Sequence, residues 1–256
     1  ACNGYGGNRE MLRKYMPTIG EAIYFGHDGN RGDALLWGEA LGAAVKHLGA
    51  FQGHGNVAHP HGILISWAVI MEGGVQVNLA GHRFWNETQG YSEAAAAVLA
   101  QPEGVAWAIY DDRIAKVARQ FVDFQEAEAQ GAVLWADTVA DLAKKTRLPE
   151  AALAETLAGI ETGDDPFGRR FDPAQRLKPR FAATRVTGTL FHTQGGLDVT
   201  KDGQVKRAVG GSFPNLFAVG GAAVGVSGSG DAGYLSGNGL LSAVVLGRKA
   251  GLARQS

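Results

Sequence analysis

The stretch that decides the fold is Pro214-Asn-Leu-Phe-Ala-Val219, then Gly220-Gly221 and a loop of small residues, then Gly237-Asn-Gly-Leu-Leu241 and an apolar run to Leu252. It predicts a short buried strand, a glycine- and serine-rich loop, and a helix that begins near Asn238. Glycine lets a backbone approach a large flat ligand closely, and the first helical turn offers unpaired N–H groups and a positive dipole end. An electron-rich ring edge or a phosphate suits such a place. The alternative is a strand–turn–helix whose glycines only allow close packing, since glycine-rich turns are common.

The bulk composition indicates a soluble globular protein with a large core. The 256 residues are 45% hydrophobic and 19% charged, and this length allows one large domain or two. A formal net charge of −1 gives no reason to expect nucleic acid or an anionic membrane as partner. The single cysteine, Cys2, excludes an internal disulfide. No apolar run approaches the roughly 18 residues of a membrane span, and no signal peptide is visible in the sequence, so we expect a cytoplasmic protein.

Glycine is distributed unevenly along the chain. The 38 glycines cluster at both ends, whereas residues from about 60 to 190 have few and alternate between strand-like and helical patterns. Within that middle part, Val105 to Tyr110 is expected to form a strand and Pro149 to Ile160 a helix. Before it, apolar residues at helical spacing predict a helix from Ala34 to Leu48.

Three histidines, His54, His59 and His61, lie within eight positions. Histidine clusters often bind metals, but these have no regular ligand spacing and no acidic partner nearby. We therefore predict no metal site.

Several motifs resemble the flavoprotein subunits of fumarate reductase and succinate dehydrogenase, and the 3-ketosteroid dehydrogenases. Phe191-His-Thr-Gln-Gly-Gly196 resembles the HxxGG segment of this family, and Pro214 to Gly221 its P-G-L-[FY]-A-x-G segment. Further likenesses, in family order, are Ala1-Cys-Asn-Gly-Tyr-Gly-Gly-Asn8 (A-T-G-G-[FY]-G-G-N), His59-Pro60 (HPT), Gly81 to Glu87 (G-x-R-F-x-N-E) and Gly237 to Gly251 (the final helix).

This resemblance implies FAD as the cofactor and an α/β fold with two parts. Residues 1–58 and 191–256 would belong to a Rossmann-like FAD-binding domain, and residues 59–190 to an inserted α+β capping domain. The amino-terminal GxGxxG unit that cradles the dinucleotide in the family has no counterpart here. The FAD-binding domain is therefore expected to be incomplete, with the chain forming the carboxy-terminal part of a longer flavoprotein and needing the amino-terminal half as a partner.

The same resemblance assigns site residues. Members of this family move a hydride between a carbon and flavin N5, and catalysis would occur between cap and flavin ring. The start of the final helix would face flavin N1 and the C2 carbonyl with its N–H groups and dipole. The residues expected to bind the cofactor are Gly220, Gly221, Ser236, Gly237, Asn238, Gly239, Leu240 and Leu241.

Two tyrosines stand where fumarate reductases have arginines. The N-E-x-x-x-R segment reads Asn86-Glu-Thr-Gln-Gly-Tyr91 here, and the N-R-x-G-G-N segment ends in Tyr234-Leu-Ser-Gly-Asn238. Without those arginines, bidentate recognition of a dicarboxylate loses its main donors. A tyrosine hydroxyl is a neutral donor near pH 7 and suits a ketone oxygen.

The 3-ketosteroid dehydrogenases carry tyrosines at similar places. By that resemblance Tyr91 is the catalytic base or acid, and Tyr234 polarises the substrate carbonyl. His59 and His192 match family positions that hold substrate oxygens. A purely structural reading remains open for each tyrosine, as a packing residue with its hydroxyl at the surface.

The sequence thus predicts an FAD-dependent dehydrogenase or reductase acting on a CH–CH bond beside a carbonyl, with a 3-ketosteroid or similar enone as substrate. One alternative is fumarate-, succinate- or tricarballylate-type carboxylate chemistry that uses cap arginines such as Arg176 or Arg180. The other is a fragment without activity of its own. The sequence does not identify the electron partner.

Overall fold

A computed structural model describes residues 2–162, 165–230 and 234–253, without the side chains of 161 and 162. The helices are α1 (Arg9–Tyr15), α2 (Asp33–Ala40), α3 (Ala68–Met71), α4 (Tyr91–Leu99), α5 (Asp112–Ala118), α6 (Val122–Ala129), α7 (Val139–Thr146), α8 (Glu150–Thr162) and α9 (Asn238–Ala253). The strands are β1 (Ile23–Tyr24), β2 (Val45–Lys46), β3 (Phe51–Ala58), β4 (Ile63–Leu64), β5 (Val75–Val77), β6 (Val105–Asp111), β7 (Val133–Ala136), β8 (Phe181–Thr193), β9 (Gly196–Leu197), β10 (Gln204–Lys206) and β11 (Ser212–Phe217).

The chain divides into two compact units. Unit 1 consists of residues 1–53 and 189–256, and unit 2 of residues 54–188. The sequence had placed these boundaries after residues 58 and 190. The mixture of helix and sheet expected from the sequence is confirmed.

Unit 1 is held together by short strands and a small core. β1 pairs in parallel with the last part of β8, through Ile23 and Thr189, and β2 pairs antiparallel with β9. The turn before α1 is anchored by Tyr5, which is buried and whose hydroxyl donates to the carbonyl of Leu48. Residues close to the start of the chain are thereby tied to the segment that precedes β3.

Two predictions for unit 1 were wrong in detail. The helix predicted over residues 34–48 ends at Ala40, because Gly42 has a φ of +82° and the next residues pair outside the helix. The predicted buried strand over residues 214–219 is β11, which is half-buried to exposed. Its partner in the described part of the chain is one strand, β10, so the hairpin has little to bury it.

Unit 2 is built around a sheet in the order β4-β3-β8-β6-β5, with β7 also paired to β8. β6 and β8 run antiparallel over seven residue pairs, from Val105 opposite Thr187 to Asp111 opposite Phe181. β6 is the strand predicted from Val105 to Tyr110, and all of its residues are buried.

Alternate residues of β6 enter two separate apolar clusters, as the two-residue period of a strand requires. Ala106, Ala108 and Tyr110 pack with residues of α3, α5 and α6, whereas Trp107 and Ile109 pack with residues of α7 and α8. Both faces of this sheet are therefore covered by helices. Every residue of both clusters belongs to unit 2.

Candidate functional site

In unit 1 the candidate site lies at the start of α9. Gly237 precedes this helix with a φ of +81°, in the left-handed region that favours glycine. Asn238, which is fully buried, donates to the hydroxyl of Ser227 over 2.8 Å and accepts from the Val226 N–H over 3.1 Å. The loop before α9 is thereby fastened to the first turn of the helix, whose leading N–H groups have no partner within a helix.

His192 lies against this first turn. A Cβ on Gly239 would come within 3.0 Å of the His192 ring, so glycine at this position allows the close approach. Gln194 contacts the same ring, with its amide nitrogen 2.7 Å from Nδ1. Burial lowers the pKa of His192, which favours the neutral imidazole.

Tyr234 also contacts His192. The two rings meet edge to face, with centroids 6.1 Å apart and planes at 81°. The structure therefore brings together two of the four residues that the sequence selected as catalytic, although they are far apart in the chain.

The glycine-rich segment lines two cavities of unit 1. One has a volume of about 340 Å³ and the other about 780 Å³, and Asn3, Gly220, Gly221 and Ala243 line both. Such volumes are typical of small-molecule sites. The smaller one is lined by Asn3, His192, Thr193, Gln194, Gly220, Gly221, Ala223, Gly225, Gly239, Leu240, Ser242 and Ala243, with no arginine or lysine among these described residues.

The backbone N–H groups in the first turn of α9 and the volumes of the two cavities fit a flavin. A Cβ on Gly221 would collide with the Asn3 side chain, so glycine at this position allows Asn3 to pack closely against the backbone. Of the residues predicted to bind the cofactor, Gly220, Gly221, Gly239 and Leu240 line the smaller cavity. Ser236, Gly237 and Leu241 are exposed and Asn238 is buried in the hydrogen-bonded loop; none of these four lines either cavity.

In unit 2, Tyr91 is the first residue of α4 and belongs to an aromatic cluster. Its ring stacks on His54, with centroids 5.2 Å apart and planes at 22°. Trp67 meets both rings edge to face, and Trp85 lies 6.4 Å from Trp67. We call His54, Trp67, Trp85 and Tyr91 the aromatic cluster.

The sequence selected His59 and overlooked His54. His54 is buried inside β3, and burial lowers its pKa to about 3, so it is neutral at physiological pH. His59 follows the end of β3, its N–H donates to the Arg185 carbonyl, and no described contact joins it to Tyr91. Had residues 51–58 been predicted as a buried strand, His54 would have been placed inside that strand.

A buried ion network fixes the segment before Tyr91. Glu87 is fully buried, lies 2.6 Å from Arg83 and 3.1 Å from Arg169, and accepts from the Gln76 N–H over 3.0 Å. Arg83 also pairs with Asp165. Both arginines are therefore engaged by carboxylates of the chain itself.

The arginines considered for carboxylate recognition are on the surface. Arg176 and Arg180 are both exposed. The Arg180 guanidinium lies over the Trp135 ring, 4.8 Å from its centroid, and 3.9 Å from the Asp137 carboxylate.

A glycine-lined cavity beside the start of a helix is a place where nucleotide cofactors commonly bind. The chain belongs to the FAD binding domain family, whose model matches residues 1–240. FAD, the cofactor expected from the sequence, is thereby confirmed. None of the helices in the described ranges has the length and apolar character needed to cross a bilayer.

The relatives include fumarate reductases and 3-oxosteroid dehydrogenases. The chain is 32% identical to a probable fumarate reductase of Shewanella frigidimarina, over 98% of this chain and 42% of that protein. It is 27% identical to a 3-oxosteroid 1-dehydrogenase of Mycobacterium tuberculosis, over 89% of this chain and 47% of that protein. The chain thus spans less than half the length of these curated relatives.

Solved structures agree on the fold. The open conformation of a flavocytochrome c3 fumarate reductase matches with a TM-score of 0.76 and 31% identity, over 98% of this chain and 44% of that one. A 3-ketosteroid-Δ4-(5α)-dehydrogenase from Rhodococcus jostii matches with a TM-score of 0.70 and 22% identity, over 99% of this chain and 51% of that one. The resemblance inferred from the motifs and the predicted fold class are confirmed.

Proposed function

We propose that this chain belongs to an FAD-dependent oxidoreductase that acts on a CH–CH bond next to a carbonyl, with a 3-ketosteroid or a similar enone as substrate. The observation that carries this proposal is the contact between the rings of His192 and Tyr234, two side chains that can donate an uncharged hydrogen bond. A ketone oxygen accepts from such donors, whereas a carboxylate is usually paired with a cation.

In this proposal His192 and Tyr234 bind the substrate carbonyl oxygen. Their rings are in contact, and the cavity beside His192 reaches the first turn of α9. Two neutral donors that converge on one oxygen stabilise the negative charge that develops on it during the reaction. FAD, when bound, exchanges a hydride at flavin N5.

Tyr91 is proposed as the acid or base that moves the proton at the neighbouring carbon. Its ring is held by His54 and Trp67, and the ion network around Glu87 fixes the preceding segment. A general acid or base must be held in one orientation to act, and the aromatic cluster supplies that restraint. His59 has no part in this proposal.

The test is substrate choice by the FAD-loaded protein. It is expected to reduce an electron-accepting dye with a 3-ketosteroid or cyclic ketone as electron donor, or, when supplied with a reduced dye, to saturate the corresponding enone. Turnover of fumarate or succinate with no response to any ketone would overturn the proposal.

A second candidate is fumarate reductase-like carboxylate chemistry. Identities of 32% and 30% to fumarate reductases of Shewanella frigidimarina favour it. Against it stand the surface positions of Arg176 and Arg180 and the engagement of Arg83 and Arg169 by carboxylates. Competitive inhibition by small dicarboxylates, with none by cyclic ketones, would favour this candidate.

A third possibility is that these 256 residues need further chain to be active. Its support is the coverage of less than half of the relatives' length. A yellow, FAD-bound preparation of this chain that turns over substrate would exclude it.

A further inference from the structure

We propose that Gln76 is a positioning residue for Tyr91, which it restrains through hydrogen bonds to three neighbouring groups. The consequence for catalysis rests on the acid or base role proposed above for Tyr91. The restraint itself is a property of unit 2, whatever the substrate.

The hydrogen bonds of the Gln76 side chain have only one possible direction. Gln76 is the middle residue of β5 and is fully buried. The indole N–H of Trp85 can only donate, and it lies 3.1 Å from Oε1 of Gln76. The carbonyl oxygen of Gly55 can only accept, and it lies 2.8 Å from Nε2. Each end of the amide therefore faces the partner that it requires.

Through its amide nitrogen, Gln76 fixes β3 beside His54. Gly55 and Asn56 directly follow His54 in this strand, and Nε2 of Gln76 also lies 3.4 Å from Oδ1 of Asn56. The Asn56 N–H in turn donates to Nδ1 of His54 over 3.2 Å. The ring on which Tyr91 stacks is thereby held by a backbone segment that Gln76 anchors.

Through its amide oxygen, Gln76 fixes one side of the aromatic cluster. The bond from the Trp85 N–H sets the rotation of that indole ring. Trp67 contacts Trp85 and meets the Tyr91 ring edge to face, with centroids 6.4 Å apart in both pairs. Trp67 therefore lies between an indole that Gln76 orients and the ring of Tyr91.

Through its backbone N–H, Gln76 also fixes the chain four residues before Tyr91. This N–H donates to Oε1 of Glu87 over 3.0 Å, while Oε2 of the same carboxylate pairs with Arg83. Glu87 begins a short turn that leads through Gly90 to Tyr91, the first residue of α4. One residue thus acts on Tyr91 by three separate routes.

The position of Gln76 would suit an apolar side chain. Val75 and Val77 on either side are fully buried, and burying an amide costs free energy unless its hydrogen bonds are made. The bonds that it makes lead to the two sides of the aromatic cluster. Since an acid or base must keep one orientation to act, this restraint serves the proton transfer.

NMR of the chain labelled with ¹³C-tyrosine tests the restraint without substrate. The Tyr91 ring signals are identified by their loss in Tyr91→Phe. Gln76→Met keeps the length of the side chain and removes the amide, so the Tyr91 signals should shift and broaden as the ring samples more than one orientation. The signals of Tyr5, a buried tyrosine of unit 1, should stay unchanged.

Gln101→Met is the matched control. Gln101 is a half-buried glutamine of unit 2 whose amide bonds to the Ala97 carbonyl and to Asn78, each over 3.3 Å. Loss of this amide should leave the Tyr91 signals and the turnover unchanged. Equal movement of the Tyr91 signals in both variants would reveal a general response of unit 2 to a lost amide, and would overturn the proposal.

Trp85→Phe carries the test if Gln76→Met does not fold. It keeps an aromatic ring and removes the N–H that Oε1 of Gln76 accepts. The Tyr91 signals should shift here too. Native Tyr91 signals in whichever of these variants fold would overturn the proposal.

Steady-state kinetics separate positioning from a purely structural role. Turnover of the FAD-loaded Gln76→Met protein should fall about 10²-fold, the usual effect of a small misplacement of a reacting group. KM should be nearly unchanged, since the loss concerns the transition state. A raised KM with native turnover would contradict the positioning role. If the Tyr91 signals respond as expected but Tyr91→Phe is fully active, the proposed role of Tyr91 fails and the restraint by Gln76 stands.

Discussion

Tyr91 is the residue on which the proposed proton transfer depends. Tyr91→Phe keeps the ring that stacks on His54 and removes only the hydroxyl. We expect turnover to fall roughly 10²- to 10⁴-fold, the usual range for loss of a general acid or base, with the flavin absorption spectrum unchanged. Steady-state kinetics of the FAD-loaded protein measure this.

The matched control for this change is Tyr110→Phe. Tyr110 is a buried tyrosine of unit 2 whose hydroxyl bonds to Thr184 over 2.8 Å, outside the aromatic cluster. The Tyr110→Phe variant should lose about 1 kcal/mol of stability and keep its turnover. Full activity in Tyr91→Phe would remove Tyr91 from the mechanism.

His54 makes stability depend on pH. Burial lowers its folded-state pKa to about 3, whereas the unfolded chain takes up the proton near pH 6.5. The unfolded state therefore binds more protons between these values, and stability, full above pH 6.5, declines as the pH falls. The contribution of His54 should fall by about 2 to 3 kcal/mol between pH 6.5 and 4.5, at roughly 1.4 kcal/mol per pH unit for one proton.

Urea unfolding at several pH values tests this. The variant His54→Phe should show a shallower decline of stability with falling pH than the native chain. His61→Phe, at an exposed position, should keep the native pH profile. Identical profiles for the native chain and His54→Phe would show that the buried ring takes up its proton without cost.

Gly239 and Gly247 allow a comparison within one helix. In α9, a Cβ on Gly247 meets no atom within 4 Å, whereas one on Gly239 meets the His192 ring at 3.0 Å. Gly247→Ala should therefore stabilise the chain by about 0.5 to 1 kcal/mol through helix propensity. Gly239→Ala should gain less and should shift the NMR signals of His192.

Urea unfolding and histidine NMR of both variants provide the measurement. Equal stabilisation by the two alanines, with the His192 signals unmoved in each, would show that the His192 ring does not hinder a methyl group at position 239.

At the scale of elements, the segment that joins β5 to α4 depends on the buried ion network. Glu87→Gln leaves Arg83 and Arg169 without their shared carboxylate in a buried place. Breaking such a pair costs about 3 to 5 kcal/mol. The exposed pair Glu103–Arg185 is the control, because Glu103→Gln should cost about 1 kcal/mol or less. Chemical denaturation of both variants measures how much stability each loses. Equal losses in Glu87→Gln and Glu103→Gln would contradict this prediction.

Local pattern predicts elements well where neighbours in sequence decide the outcome. The apolar run from Val105 to Tyr110 is bounded by Gly104 and Asp111, and it forms β6 as expected. The helix expected to reach Leu48 stops at Ala40, because Ala43 pairs with Arg207, more than 160 positions away. Periodicity carries no information about such a partner.

The same distinction applies to the site. Motif resemblance selected His192 and Tyr234, whose rings are in contact, because both flank glycine-rich segments with recognisable spacing. It did not select His54 or Trp67, because sequence spacing does not show that these two rings meet. The roles of all these residues stay predictions until the variants are measured.

At the scale of the whole molecule, unit 2 is an insertion with a complete core. Both of its apolar clusters consist of residues between 54 and 188, and the sheet that separates them is covered on both faces. We therefore expect residues 54–188, expressed alone, to fold and to unfold in a single cooperative urea transition. A fragment with no cooperative transition would show that unit 1 is needed for folding.

The two ends of unit 2 also lie on neighbouring strands. β3 and β8 are adjacent in the sheet, and the His59 N–H donates to the Arg185 carbonyl over 2.8 Å near those ends. Chain entry and chain exit are thus side by side, as in domains that tolerate insertion into a host. A segment whose two ends are adjacent can be exchanged whole, at two neighbouring cut points, without changing the path of the rest of the chain.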